Sequence, residues 1–455
     1  MVGAGVAGLT AALQLARNGF NVKLIEKEAS VGGLARSFHY GNFVFDYGPH
    51  ALVWKDQIVQ EFVSSVRGLI LNKFKGREGA YLFGRIVEGN LFGGPAFWDL
   101  PKGLALKGLF EQVFHRHADS SRNLEEYARS VIGDSLYRYL VQHIAEKTAS
   151  TSCRELHVDF YHMVAARSLP QGPFVSRAIR QLARRLLSNL IGDGSRGGDV
   201  WAYPKNGGFE MFPKALFENF LDAGGEVLLK ARVKRVERRD RTISSVQIGT
   251  NSIPIDLLLW SGNLQSLTGA LGLTWTGFKL IPMVLFNFEV SAQSPLSYHL
   301  VDCLQGGFMI RRTSFPSLFR EENAPPGYYG VSVEVACQEG QHIWERPDDF
   351  VSFVSNELLK MRMIRRSDDI KQYYIERVAA FPLLDSSYKA RLQAIVAQLE
   401  EYATNLVLVG AATNPTRPLM HQQMRDAVDK VAAIVGHQES FSLASATDME
   451  KPESV

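Results

Sequence analysis

Gly3-Ala4-Gly5-Val6-Ala7-Gly8 stands near the start of the chain, and Leu9, Ala12, Leu13 and Ala16 follow it at helical spacing. Gly19 stops that helix, and residues 21–26 (Asn-Val-Lys-Leu-Ile-Glu) read as a strand that ends on Glu26. Glycine turn, helix and strand make most of a βαβ unit. Gly3 permits the tight turn, Gly5 lets backbone approach a pyrophosphate, and Gly8 lets the helix lie close to the sheet. The free amides and positive dipole end of the helix, at Val6 and Ala7, are where the phosphates should sit. Glu26, followed by Lys27, stands where a carboxylate accepts ribose hydroxyls and repels a 2′-phosphate, which disfavours NADP. A strand of about five residues should precede the glycines. Only Met1 and Val2 do so, and the expectation is a natural start further upstream.

A second glycine doublet follows the acid, in Val31-Gly32-Gly33-Leu34-Ala35-Arg36-Ser37. It offers another close backbone approach at Gly33 and Leu34, with a cation at Arg36. An NAD enzyme has no use for these, whereas FAD has a longer diphosphate–ribityl chain to hold. Residues 43–50, Phe-Val-Phe-Asp-Tyr-Gly-Pro-His, read as a strand turning at Gly-Pro and presenting His50. The chain has a single GxGxxG, so it lacks the sign of a second Rossmann module that would dock NADPH. Electrons are therefore expected to pass to or from something external, such as oxygen or a quinone.

Composition narrows the class. The 455 residues are 46% hydrophobic and 21% charged, ordinary values for a globular protein large enough for two or three domains. A net charge of +3 gives no field strong enough to make nucleic acid the obvious partner. Cys153, Cys303 and Cys337 stand far apart, without a CxxC, so neither a zinc ribbon nor a disulfide framework is expected. No metal site is expected. No apolar run reaches the roughly 18–20 residues that span a bilayer, and no signal peptide is evident. The default is a cytoplasmic protein. Residues 174–191 read as a basic amphipathic helix; peripheral membrane contact is left open there, with a solvated face as the plainer reading.

Further along, residues 123–149 are helical in pattern, 207–248 form a second αβ unit running into a meander, and 255–260 are a buried strand. A strand-rich block begins at 280, a helix covers 348–361, 405–409 are a short apolar strand, and a helix from 420 to 435 closes the fold. The architecture expected is α/β, α+β overall: a Rossmann-type FAD-binding domain with an inserted helical and mixed-sheet substrate domain. The FAD part is discontinuous, 1–54, 199–274 and 391–436. The insertions are a mainly helical 55–198 and a strand-rich 275–390, and 437–455 read as a disordered tail.

Gly-Gly-Leu-Ala-Arg-Ser-Phe at 32–38 and Phe-Asp-Tyr-Gly-Pro-His at 45–50 resemble the FAD-dependent amine oxidase / protoporphyrinogen oxidase superfamily. The branch is the one that contains UDP-galactopyranose mutase and protoporphyrinogen-oxidase-like flavoproteins. Leu124-Glu125-Glu126-Tyr127, Tyr203-Pro204-Lys205-Asn206-Gly207-Gly208-Phe209 and Asn405-Leu406-Val407-Leu408-Val409-Gly410 are similar to further motifs of that branch. The resemblance implies that Val233 contacts adenine through its backbone, that Gly410 and His421 or Gln422 approach the flavin, and that His50 lies by the isoalloxazine. The chain departs from the pattern at Ala411-Ala412 and at Thr148-Ala149-Ser150. Residues 411–424 hold no Cys, Trp or Tyr, which points to non-covalent FAD and away from an aromatic amine cage.

Three activities remain open: an FAD-dependent oxidoreductase (dehydrogenase, oxidase or desaturase type) on a small organic substrate, a flavin-dependent sugar-nucleotide mutase-like isomerase, and a non-catalytic FAD-binding protein. For a mutase, one arginine of Arg311-Arg312 would face inward to clamp a diphosphate, and Arg312 is the candidate. Glu334 alternates as an inward strand residue or a surface one.

Overall fold

The computed structural model describes residues 1–88, 100–114, 123–164, 199–275, 277–412, 415–416 and 419–448. Five parallel segments make the central sheet, in the order β9 (Glu226–Leu228), β1 (Lys23–Ile25), Val2, β13 (Leu258–Trp260) and β19 (Leu406–Leu408). Val2 bridges both Ile25 and Trp260, its N–H donating to Leu259 and its carbonyl accepting from Ser261, each at 2.9 Å. Val2, the residue directly ahead of the glycines, thus occupies the central strand position. Helix α1 (Val6–Arg17) packs behind it with ten of its twelve residues buried. Small Ala and Gly side chains bring α1 close to the sheet. A Cβ added at Gly8 would stand 2.0 Å from the Gly3 carbonyl oxygen.

The hairpin β2 (Ser37–Tyr40) and β3 (Phe43–Asp46) follows the second glycine doublet. Strand β4 (Leu52–Val53) then pairs with β8 (Val200–Pro204), which also pairs with β5 (Leu71–Lys75). Helix α2 (Gln57–Ser64) is capped by the Asp56 side chain, which accepts from the Val59 N–H. The meander β10 (Val233–Arg239), β11 (Thr242–Ile248) and β12 (Asn251–Pro254) lies beside β13. Helices α3 (Lys102–Phe114), α4 (Leu124–Tyr137), α5 (His143–Ala149) and α6 (Val158–Val164) form the helical insertion, with a π turn joining α4 to α5. The basic segment 174–191 lies outside the described residues.

A seven-stranded sheet makes the other half, in the order β18 (Ile370–Pro382), β14 (Leu280–Val290), β17 (Tyr329–Ala336), β16 (Arg312–Ser314), β15 (Leu300–Cys303), β6 (Glu78–Leu82), β7 (Arg85–Glu88). Its two faces differ in chemistry. Val284, Phe286, Phe288 and Val290 of β14 join Val331, Val333 and Val335 of β17 in one apolar cluster with Val354 and Leu358 of α9 (Val351–Lys360). Alternation sends Leu285, Asn287, Ser332, Glu334, Arg312, Ser314 and Asp302 to the opposite face. That polar face is buried too, beneath the β2–β3 hairpin: Phe38 and Tyr47 pack on Met283, Leu285 and Val378.

Helices α7 (Met211–Asp222), α8 (Leu264–Ala270) and α10 (Tyr388–Tyr402) complete the packing. The last helix, α11, runs Met420–Asp448. Residues 437–448 of it fall within the segment expected as a disordered tail. Residues 437–448 include Gln, Glu, Leu and Ala and hold no Gly or Pro, so nothing breaks the helix that precedes them; 449–455 lie outside the described residues. No helix among the described residues is long and apolar enough to cross a membrane.

The closeness of α1 to its turn gives a first test. Gly8→Ala should destabilise the fold by at least ~1–3 kcal/mol, the usual size of an overpacking strain. A fall in the thermal unfolding midpoint, followed by circular dichroism, checks it; an unchanged midpoint contradicts the packing described.

Candidate cofactor and substrate site

Gly5 is the N-cap of α1 and no side chain caps the helix. The first helical bond is Leu9 N–H to Gly5 C=O, so the amides of Val6, Ala7 and Gly8 have no acceptor within the helix. All three residues are buried. Buried donors without acceptors are costly unless a ligand satisfies them. A Cβ at Gly5 would meet nothing within 4 Å, so the space in front of these amides is open. The arrangement is a cradle for an anion.

Glu26 ends β1 and is 7% exposed. Its Oε2 accepts from Ala4 N–H at 2.7 Å and its Oε1 from Glu28 N–H at 2.9 Å. Each oxygen keeps a lone pair for a further donor, such as a ribose hydroxyl. Lys27 is exposed and pairs with Glu28. The second glycine doublet folds back onto the first: Gly32 N–H donates to Ala4 C=O at 2.8 Å, and Gly33, at φ +61°, lies against Gly5. Leu34 is exposed. Arg36 donates to the Gly33 carbonyl at 2.8 Å and covers the Tyr47 ring at 4.8 Å. The two glycine segments named from the sequence are thus one continuous structure.

Gly410 follows β19 at φ +70° and packs on Ala7, while its N–H donates to Asp426 of α11 at 2.7 Å. Val233 opens β10, buried in the same cluster as Ile25 and Val2. His421 is 4% exposed near the start of α11, with an Nδ1 that meets no hydrogen-bond partner. Burial, with Lys55 nearby, lowers its pKa against the pull of Asp56 and Asp199.

His50 emerges from the Gly48-Pro49 turn. Its Nδ1 donates to the Gly48 carbonyl at 2.9 Å, and its ring stands 5.7 Å from Phe209. Burial lowers its pKa, against the backbone bond to Gly48 and the charge of Glu334, which raise it. A neutral ring with Nδ1–H committed leaves Nε2 as an acceptor. Gly48 has φ +101°, and a Cβ there would come 3.1 Å from the Glu334 carboxylate, so the turn touches the polar sheet face directly. There Arg311, 1% exposed, is ion-paired with Glu334, and Arg312 donates to Asp302 at 2.8 Å. Burial opposes the charge on Arg312, but Asp302 and Glu334 outweigh it and raise its pKa. Both arginines are therefore held by acids, and Glu334 is an inward residue.

Sequence reasoning passed over Asp46, although it lies within the quoted Phe-Asp-Tyr-Gly-Pro run. Its carboxylate accepts from Ser37 Oγ at 2.6 Å, Tyr203 Oη at 2.9 Å and Phe209 N–H at 3.0 Å. It fastens the hairpin to the 203–209 segment. Burial pushes it up to about 6 in spite of those donors. Asp302, the partner of Arg312, was missed as well, because cross-strand pairing between distant segments leaves no local sign.

With this geometry in view, the comparisons with known proteins are specific. Residues 1–66 match the family of NAD(P)-binding Rossmann-like domains. L-amino acid oxidase Cdc18 of Crotalus durissus cumanensis is 26% identical over 274 residues, 56% of this chain and 49% of that protein. The L-amino-acid oxidase of Demansia vestigiata is 26% identical over 259 residues, 52% of this chain and 44% of that protein. Among solved structures, reduced UDP-galactopyranose mutase aligns with a TM-score of 0.79 at 14% identity, covering 96% of this chain and 94% of that one. The fold is thus shared with UDP-galactopyranose mutase, and part of the sequence is similar to L-amino acid oxidases. Cyclohexylamine oxidase from Brevibacterium oxydans aligns with a TM-score of 0.64 at 14% identity, covering 96% of this chain and 98% of that one. The chain spans about half the length of the L-amino acid oxidases it matches, whereas the shared fold extends over nearly the whole chain.

The Asp46 junction yields a pH test. Its folded pKa, near 6, lies above the ordinary 3.8 of an aspartate, so the native state holds this proton more tightly than the unfolded chain does. Stability from this group is therefore present at low pH and lost as pH rises through about 4 to 6. Relative to Asp46→Asn, the wild type should lose stability across that interval. Urea unfolding of both proteins at several pH values measures the difference; parallel curves count against the assignment.

Proposed function

We propose that the chain binds FAD without a covalent link and acts as an FAD-dependent oxidoreductase of dehydrogenase, oxidase or desaturase type on a small organic substrate. The observation that carries this reading is the cradle of three buried amides, Val6, Ala7 and Gly8, opening over Gly5 beside the anchored carboxylate of Glu26. In this reading those amides hold the diphosphate and Glu26 takes the ribose hydroxyls, supported by the backbone of Lys27. Gly33, Leu34 and Arg36 flank the diphosphate–ribityl chain, and Val233 meets adenine. Gly410 and His421 approach the ring end. FAD, once bound, supplies a hydride acceptor. The chain's own contribution is to position a substrate carbon beside it, near His50, and to exclude water there. His50 Nε2, in its neutral form, can accept a proton from that substrate.

Burial pushes the thiols of Cys153 up to about 12 and of Cys303 and Cys337 up to about 11. Protonated thiols are poor nucleophiles, which supports a cofactor held without a bond. The same three free cysteines favour a reducing, cytoplasmic setting. The inserted helical and sheet segments would form the substrate side, and the external electron partner would be oxygen or a quinone. A mutase-type isomerisation is the second reading, favoured by the Arg311–Arg312 pair on that face. There a diphosphate would have to draw Arg312 away from Asp302.

Gly5→Val places a side chain in the open cradle without touching protein. It should abolish flavin absorbance in the purified protein while leaving the unfolding midpoint of the apoprotein unchanged; full flavin retention would contradict the cradle. To separate the chemistries, flavin-loaded protein is mixed with amines, amino acids and sugar nucleotides without oxygen. Bleaching by an amine or amino acid supports oxidation. Turnover of a sugar nucleotide that demands prior dithionite reduction favours the mutase. His50→Ala should lower the bleaching rate by about 10²–10⁴, the usual worth of a general base.

A further inference from the structure

A cleft of about 750 Å³, lined by none of the cradle residues, lies between the edge strand β10 and the end of α8, with Tyr402 of α10 as its third wall. Small-molecule sites commonly measure about 300–1,000 Å³. Lys234, Arg235, Arg238 and Arg239 all line it, against one acid, Glu237. Residues 232–241 carry six basic and two acidic side chains, a local +4 in a chain whose whole net charge is +3. The strand therefore carries a dense local excess of positive charge.

The local structure shapes that charge. β10 pairs with β11 through two irregularities, one at Lys234 between Val233 and Arg235, the other at Glu237/Arg238. Such bulges re-aim side chains and terminate regular pairing. Arg238 is fixed: it donates to the Tyr402 carbonyl at 2.9 Å and lies over the Tyr402 ring at 4.1 Å. Glu237 accepts from Ser245 Oγ at 2.8 Å. Among the described residues, the side chains of Lys234, Arg235 and Arg239 have no ion-pair or hydrogen-bond partner. The opposite wall, Gly269–Gly272, gives free access: a Cβ at Gly269 or Gly272 would meet nothing within 4 Å.

We propose that this cleft binds a polyphosphorylated ligand, one carrying at least two phosphate groups, with Arg238 as a preformed contact and Lys234, Arg235 and Arg239 closing on the remaining charge. A guanidinium already oriented by a carbonyl and a ring loses little freedom on binding. Two sources supply such a ligand, a free oligophosphate and a phosphoinositide headgroup on a membrane. The plainer account is that charges on an exposed edge strand only prevent pairing with another sheet; it calls for no ligand.

The test uses flavin-loaded full-length protein and the double variant Arg235→Glu/Arg239→Glu, both exposed positions outside the cofactor site. Inorganic tripolyphosphate is titrated calorimetrically at two salt concentrations. Co-sedimentation is then measured with phosphatidylcholine vesicles, with and without a phosphoinositide. Flavin absorbance and unfolding midpoint are recorded for each protein, so failure of the cofactor reading is scored separately. Tripolyphosphate binding that weakens with salt, and by about tenfold or more in the variant, supports the site with a free ligand. Binding confined to phosphoinositide vesicles and lost in the variant supports it with a membrane source. No binding to either probe, or binding that the variant retains, overturns it.

Discussion

The fold turns on a contact without side chains: Gly8 of α1 resting on the carbonyl of Gly3, with Val2 held between Ile25 and Trp260. Because that approach is so close, the start of α1 lies at the C-terminal edge of the parallel sheet, where ligands of such sheets bind. The same geometry buries three amide donors that the helix cannot satisfy. Local stability is thus given up where a phosphate-bearing molecule restores it. Glu26, Gly33 and Gly410 are placed by the three elements that converge on this point.

The second organising feature is the two-faced sheet of β14–β18 with β6 and β7. Its apolar side is a conventional core with α9, and its other side buries ions beneath the β2–β3 hairpin. Burying Arg311 with Glu334 is of little net worth to stability, because desolvation offsets most of the attraction. Such a pair is better understood as fixing geometry. Glu334 meets the one position in the 46–50 turn where a side chain is absent, Gly48. The hairpin, the turn and the sheet are therefore registered against each other by charge and by a missing Cβ.

What could be read from the sequence follows from what is local. The glycine turn, α1, β1 and the acid at its end lie within 26 residues, and their spacing carries the geometry directly. The glycine doublet could be placed near the first because it comes so soon afterwards. The polar face of the large sheet could not be read this way. Asp302, Arg312 and Glu334 become neighbours through antiparallel pairing, and no period in the sequence announces it. Arg311 shows the limit of strand alternation: two adjacent arginines both find acids because Arg311 lies just outside β16. Polar composition does not by itself mark where α11 ends, since residues 437–448 hold no Gly or Pro to break it. Asp46 was in plain sight, yet its role depends on Tyr203 and Phe209, more than 150 positions away.

The central sheet draws its strands from residue 2, residues 23–25, 226–228, 258–260 and 406–408. During synthesis, β19 is made only after every residue that separates it from β13. Until then Leu258–Trp260 presents an open parallel edge and α1 lacks the helix that covers it. The nascent sheet therefore stays half-built across that interval. No contiguous stretch shorter than residues 2–408 holds all five strands.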